Sequence, residues 1–157
     1  MTTSPANIDY DAILQGLIAH CDHNFKALFD VMRFLPSQGL RELRTVGITT
    51  PRQSGKTSWM MRKLAEDPDS FAVVQNKVLR EHILRKVQGL DEGRIITSYD
   101  AFILRKKMEA GQDTGWVWRS TVYIDDSSAM LDGHLKDFYK WLALNPEWKK
   151  MIIICLS

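Results

Sequence analysis

The chain has 157 residues, 45% hydrophobic and 25% charged, with a formal net charge of +2. That length suits a single α/β domain with its own core, and the composition excludes a low-complexity or disordered chain beyond the first few residues, Met1 to Ala6. A charge so close to zero makes no electrostatic case for nucleic acid or anionic lipid, so any such case must rest on local clusters.

From Tyr10 to Arg33 apolar residues recur at three- and four-residue steps, among them Leu14, Leu17, Cys21, Phe25, Leu28 and Met32. This spacing predicts an amphipathic helix, which Pro36 and Gly39 are expected to break. "RTVGITT" (Arg44 to Thr50) reads as a short buried strand, and Thr57 to Glu66 as the next helix, stopped by "DPDS". A strand over Phe71 to Gln75, a basic helix over Lys77 to Val87, a third strand over Gly93 to Ser98 and a helix over Tyr99 to Glu109 follow. "STVYIDDSS" supplies a fourth strand ending in two carboxylates. A helix over Asp132 to Leu144 then leads to a fifth strand, "KMIIICLS".

Short apolar strands alternating with helices predict a three-layer α/β/α fold: a mainly parallel five-stranded sheet, helices on both faces and an N-terminal helix. Residues 1–40 form the helical extension and 44–157 the core of one domain in this reading. Chemistry is then expected at the carboxyl ends of the strands. No apolar run reaches the roughly 18 residues that span a bilayer and no signal-peptide pattern opens the chain, so no membrane contact and a cytoplasmic location are expected, in the host if the chain is phage-encoded. Cys21 and Cys155 read as reduced, buried thiols. The histidines His20, His23, His82 and His134 lack the spacing of a zinc site.

The stretch "TTPRQSGKTSW" (Thr49 to Trp59) stands between a predicted strand and a predicted helix and holds Gly55-Lys56-Thr57, the end of a phosphate-binding loop. Such a turn aims backbone N–H groups and a helix N-terminus at an anion. Gly55 would permit close approach, Lys56 would set a charge on the β- and γ-phosphates of ATP, and Thr57 would ligate Mg²⁺. The leading glycine of the usual pattern is replaced by Thr50. On the fourth strand, Asp125 would hold Mg²⁺ through its water shell, and Asp126 would orient and polarise the attacking water.

With both motifs in view, "PRQSGKT" resembles the Walker A segment of phage terminase large subunits, in which the loop carries Arg-Gln and lacks the first glycine. "TVYIDD" is similar to the Walker B motif of that group and of superfamily 1 and 2 helicases, which share a RecA-like P-loop NTPase core. The resemblance spans about Thr45 to Ser157. It implies a nucleotide-contacting segment of Pro51, Arg52, Gln53, Ser54, Gly55, Lys56, Thr57 and Ser58, a γ-phosphate-sensing Ser157 on the last strand, and an Arg52 that reaches the phosphates in cis. Catalysis would then rest on Lys56, Asp126 and Arg52, and the metal on Thr57 and Asp125.

This chain departs from the family in carrying Asp126 where the catalytic glutamate usually stands, and it is expected to lack a nuclease domain and a second RecA-like domain, with no separate arginine finger identified. Arg119 is one candidate for a finger acting across a subunit contact.

In proteins of this kind the segments holding Lys77, Arg80, Arg85, Lys86, Arg105, Lys106 and Lys107 track a nucleic-acid backbone, and single- or double-stranded DNA is the partner they suggest. A homo-oligomer or protein partner stays open. Gln38 is a candidate adenine reader on the expected loop after the first helix. Trp59 is expected to pack the loop helix onto the sheet, and Trp141 with Phe138 to form a helix's core face. "GWVW" (Gly115 to Trp118) reads as core packing, an edge hairpin or a base-stacking surface. The functional expectation is an accessory ATPase of phage type that binds Mg-ATP and acts with DNA or a DNA-bound protein. The alternatives are a non-hydrolysing ATP-binding or interaction module and, third, a small-molecule kinase.

Overall fold

The first helix begins where Asp9 accepts a hydrogen bond from Ala12 N (3.0 Å), the usual way an acidic side chain satisfies an orphan N–H of a helix start. In the computed structural model, which describes residues 8–51, 55–125 and 135–157, this helix α1 (Tyr10–Met32) buries Tyr10, Leu14 and Cys21 and ends at Arg33 in the left-handed conformation. Burial pushes the Cys21 thiol pKa up. Cys155 is only half-buried, which amends the expectation of two buried thiols.

The break falls at Arg33, ahead of Pro36 and Gly39, which belong instead to a second helix that the sequence reading missed, α2 (Pro36–Leu43). Proline suits a first helical turn because its missing N–H would find no partner there. Gly39 is a packing residue: an added Cβ would lie 3.1 Å from the Phe29 ring and 3.2 Å from that of Trp148. Gln38 therefore lies on a helix rather than on the expected loop, and its Oε1 accepts from Leu35 N (3.1 Å), capping α2.

The remaining elements come in the expected order, with ends shifted by a few residues. They are β1 (Thr45–Ile48), α3 (Lys56–Glu66), β2 (Ser70–Val74), α4 (Lys77–Lys86), β3 (Ile95–Thr97), α5 (Ser98–Glu109), β4 (Thr121–Asp125), α6 (Leu135–Leu142) and β5 (Ile152–Leu156). The strands form one sheet in the order β1-β5-β4-β2-β3. Every neighbouring pair is parallel.

Alternation along each strand separates two cores. Val46, Tyr123, Ile154 and Leu156 meet α1, α3 and α4 through Leu14, Trp59, Met60, Leu64 and Ile83. Phe71, Val122, Ile124 and Ile153 meet α2, α5 and α6 through Leu40, Ala101, Tyr139, Trp141 and Leu142. The chain is thus a three-layer α/β/α sandwich. Trp59 packs edge-on against Tyr123 with ring centroids 5.9 Å apart, as a wedge between α3 and the sheet. Residues 112–119 form no strand. Trp116 and Trp118 instead join Trp141, at 5.6 and 5.3 Å, so "GWVW" is core packing rather than a hairpin.

Two buried arginines close the layers. Arg44 donates to Met151 O (2.8 Å) and pairs with Asp22. Arg94 donates to Ser70 O (2.8 Å), Leu64 O (2.7 Å) and Asp67 O (2.6 Å), tying the end of α3 to the start of β2; burial lowers its pKa. Among the described residues, no helix is long and apolar enough to cross a membrane.

Candidate functional site

Parallel strands bring all their carboxyl ends to one edge, so the residues following β1, β4 and β5 meet there. β1 runs into Thr49, Thr50 and an exposed Pro51, and the described chain resumes at Gly55. Gly55 has φ 82°, a conformation costly for a residue with a Cβ, and it is the N-cap of α3. α3 carries no acidic side chain of its own in its first turn. Lys56 and Thr57 are half-buried in that turn, and Ser58 is exposed.

Asp125 ends β4 and is 7% exposed. Two-residue periodicity puts it on the same face as Tyr123, the face that α3 covers. There the Thr57 hydroxyl donates to Asp125 Oδ2 at 3.2 Å. The two residues assigned to Mg²⁺ thus converge, although they come from elements far apart in sequence. A hydroxyl and a carboxylate are hard oxygen donors, which suit Mg²⁺. Lys56 Nζ reaches back across the loop to Thr50 O (3.3 Å).

β5 lies between β1 and β4 and sets their separation. Its end is tied to the loop by Ser157 N donating to Ile48 O and Thr50 N donating to Ser157 O, both 3.0 Å. The Ser157 hydroxyl pairs with Thr49 Oγ1 (3.0 Å). Register sets Leu156, not Ser157, beside Asp125, so Ser157 borders the Thr57–Asp125 pair without joining it. Arg52, Gln53, Ser54 and Asp126 lie outside the described residues.

Against known proteins, the chain matches no protein-family model, no curated protein and no solved structure. The site therefore rests on its own geometry.

Of the seven basic residues expected along nucleic acid, two are committed inside the fold. Arg80 donates to Ile95 O (2.8 Å) and Glu92 O (3.0 Å), and Arg105 pairs with Glu109 (2.8 Å) and Asp137 (2.9 Å). Each guanidinium thus has two of its nitrogens engaged by carbonyls or carboxylates of the fold. Lys77, Arg85, Lys86, Lys106 and Lys107 are exposed, with Lys106 Nζ 4.5 Å from the centre of the Phe102 ring. Arg119 precedes β4, at the opposite end of that strand from Asp125, and donates to Val117 O (3.0 Å). About 16 Å of strand separates it from the site within one chain. His20 Nε2 meets the Asn24 amide at 3.0 Å. Among the described residues, no group of three or more His, Cys, Asp or Glu could hold a metal ion.

Sequence reasoning missed the contribution of α1. The Tyr10 hydroxyl meets Thr50 Oγ1 at 3.3 Å. Asp11 accepts from Trp59 Nε1 (3.2 Å) and Arg62 Nη2 (2.9 Å) and pairs with Lys63. Bonding to Lys63, then to Trp59, holds the Asp11 carboxyl below its ordinary range. Neither residue belongs to a motif, and no local spacing signals a contact with residues some forty to fifty positions away.

Proposed function

We propose that the chain binds Mg-ATP at the carboxyl end of β1 and serves as an accessory ATPase of phage type, acting with DNA or a DNA-bound protein. The observation that carries this reading is the Thr57–Asp125 pair, joined at 3.2 Å beside the start of α3. An ordinary surface lysine-threonine turn would have no reason to meet a buried strand-end carboxylate.

In this reading the N–H groups opening α3 receive the phosphates, with Gly55 allowing the backbone to come close. Lys56 leaves Thr50 O for the β- and γ-phosphate oxygens, and the Thr57 hydroxyl and Asp125 hold the cation. The bound Mg²⁺ supplies charge neutralisation for the phosphates. Asp126 is assigned the attacking water, and Arg52 the developing charge. The exposed Lys77, Arg85, Lys86, Lys106 and Lys107 are the residues left to meet DNA.

Steady-state phosphate release by the wild type, Lys56→Ala and Asp126→Asn, with and without single- and double-stranded DNA, tests the proposal. Release abolished by both changes is the expected result. Tight Mg-ATP binding with no turnover under any condition would leave a nucleotide-binding module and end the ATPase reading. Phosphate transfer to an added nucleoside or nucleoside monophosphate would make the chain a kinase.

A further inference from the structure

The loop departs from the usual phosphate-binding pattern at Thr50, and Thr50 is also where the N-terminal helix touches the site. The Tyr10 ring is 5% exposed and packs 5.5 Å from the Trp59 ring, while its hydroxyl meets Thr50 Oγ1 at 3.3 Å. The same turn of α1 holds α3 through Asp11, which accepts from Trp59 Nε1 and Arg62 Nη2. α1 therefore grips the phosphate loop on both sides, at Thr50 before it and at Trp59 after it. The backbone of Thr50 is engaged as well: its N–H donates to Ser157 O (3.0 Å) and its carbonyl accepts from Lys56 Nζ (3.3 Å).

We propose that Tyr10 is a positioning residue of the nucleotide site, acting through its hydrogen bond to the Thr50 hydroxyl. A glycine at position 50 would let the loop approach phosphate by backbone freedom alone. Here the chain has a side chain that can be anchored, and Tyr10 anchors it. This fixes the carbonyl on which Lys56 rests and thus the starting position from which the ammonium turns to the phosphates. A loop already held in its binding shape loses less conformational freedom when ligand arrives, so the anchor raises affinity without touching the nucleotide.

This inference rests on the nucleotide reading, and the experiment separates the two. Mg²⁺ with a fluorescent ATP analogue is titrated into the wild type, Tyr10→Phe, Thr50→Val, Thr50→Ser, the Tyr10→Phe/Thr50→Val double variant and Lys56→Ala. Thermal unfolding of each is recorded without nucleotide. One hydrogen bond corresponds to about a fivefold loss of affinity in Tyr10→Phe and in Thr50→Val. The double variant should bind no more weakly than either single one, and Thr50→Ser should retain wild-type binding.

Unchanged affinity in Tyr10→Phe while Lys56→Ala binds poorly would overturn the positioning role and leave the site standing. Losses that multiply in the double variant would also overturn it, because the two hydroxyls would then act independently. Lowered melting temperatures at constant affinity would reduce the contact to a structural one. Failure of the wild type to bind, or Lys56→Ala binding as well as wild type, would remove the nucleotide reading itself.

Discussion

On the face covered by α1, α3 and α4, the apolar layer ends in directed polar links close to the carboxyl edge. Trp59 Nε1 meets Asp11, Tyr10 meets Thr50, and Thr57 meets Asp125. The face covered by α2, α5 and α6 is filled instead by rings. Phe71, Trp116, Trp118, Phe138 and Trp141 lie 5.1 to 6.0 Å apart in tilted and edge-on contacts. Ring packing stabilises by area and tolerates small rotations. Hydrogen bonds between named atoms fix position at modest net stabilisation. The aromatic face holds the fold together, and the polar face sets where α3 begins relative to the ends of β1 and β4.

The comparison breaks most readily at Trp141, which is 1% exposed. Trp141→Ala should destabilise by about 4 kcal/mol in urea unfolding, and the folded fraction should bind nucleotide with wild-type affinity. Equal damage to affinity would mean that the aromatic face also positions the site. Arg94→Met leaves the carbonyls of Leu64, Asp67 and Ser70 without their shared donor and should cost about 3 kcal/mol by the same measurement. A cost near zero would show that water replaces the guanidinium.

Gly39→Ala inserts a methyl between the Phe29 and Trp148 rings and should destabilise by about 1 kcal/mol, or more if the rings cannot move. The smallest effect belongs to Asp11. Its folded-state pKa lies below the ordinary 3.8. Its ion cluster therefore stabilises the fold above about pH 4, and that contribution falls away as the pH drops through the depressed value. Asp11→Asn should lower stability slightly at neutral pH, and its difference from wild type should vanish as the pH falls from about 5 to 2, which flattens this part of the profile. An unchanged acid limb would show that other carboxylates govern it.

The elements were legible because strands and helices differ in period: "FAVV" and "IIIC" are short apolar runs, and Tyr10 to Met32 repeats at helical steps. Strand order was not, since nothing in "KMIIICLS" says that it inserts between β1 and β4. Helix α2 was hidden because proline and glycine usually punctuate, whereas Pro36 here opens a helix and Gly39 makes room for two rings. Arg80 and Arg105 looked like surface charge for lack of any sign of the carbonyls and carboxylates that receive them. At the site, Gly55, Lys56, Thr57 and Asp125 could be named from their motifs. The grip of Tyr10 on Thr50 could not, because long-range contacts between single side chains leave no local pattern.

The central claim is that Thr57 and Asp125 meet in order to hold the cation of a bound nucleotide. Calorimetric titration of ATP into wild type, Thr57→Val and Lys56→Ala, each with and without Mg²⁺, tests it most directly. The account predicts that Mg²⁺ strengthens wild-type binding, that Thr57→Val loses this enhancement, and that Lys56→Ala binds at least about thirtyfold more weakly. Binding by wild type that ignores Mg²⁺, or no binding at all, would contradict it.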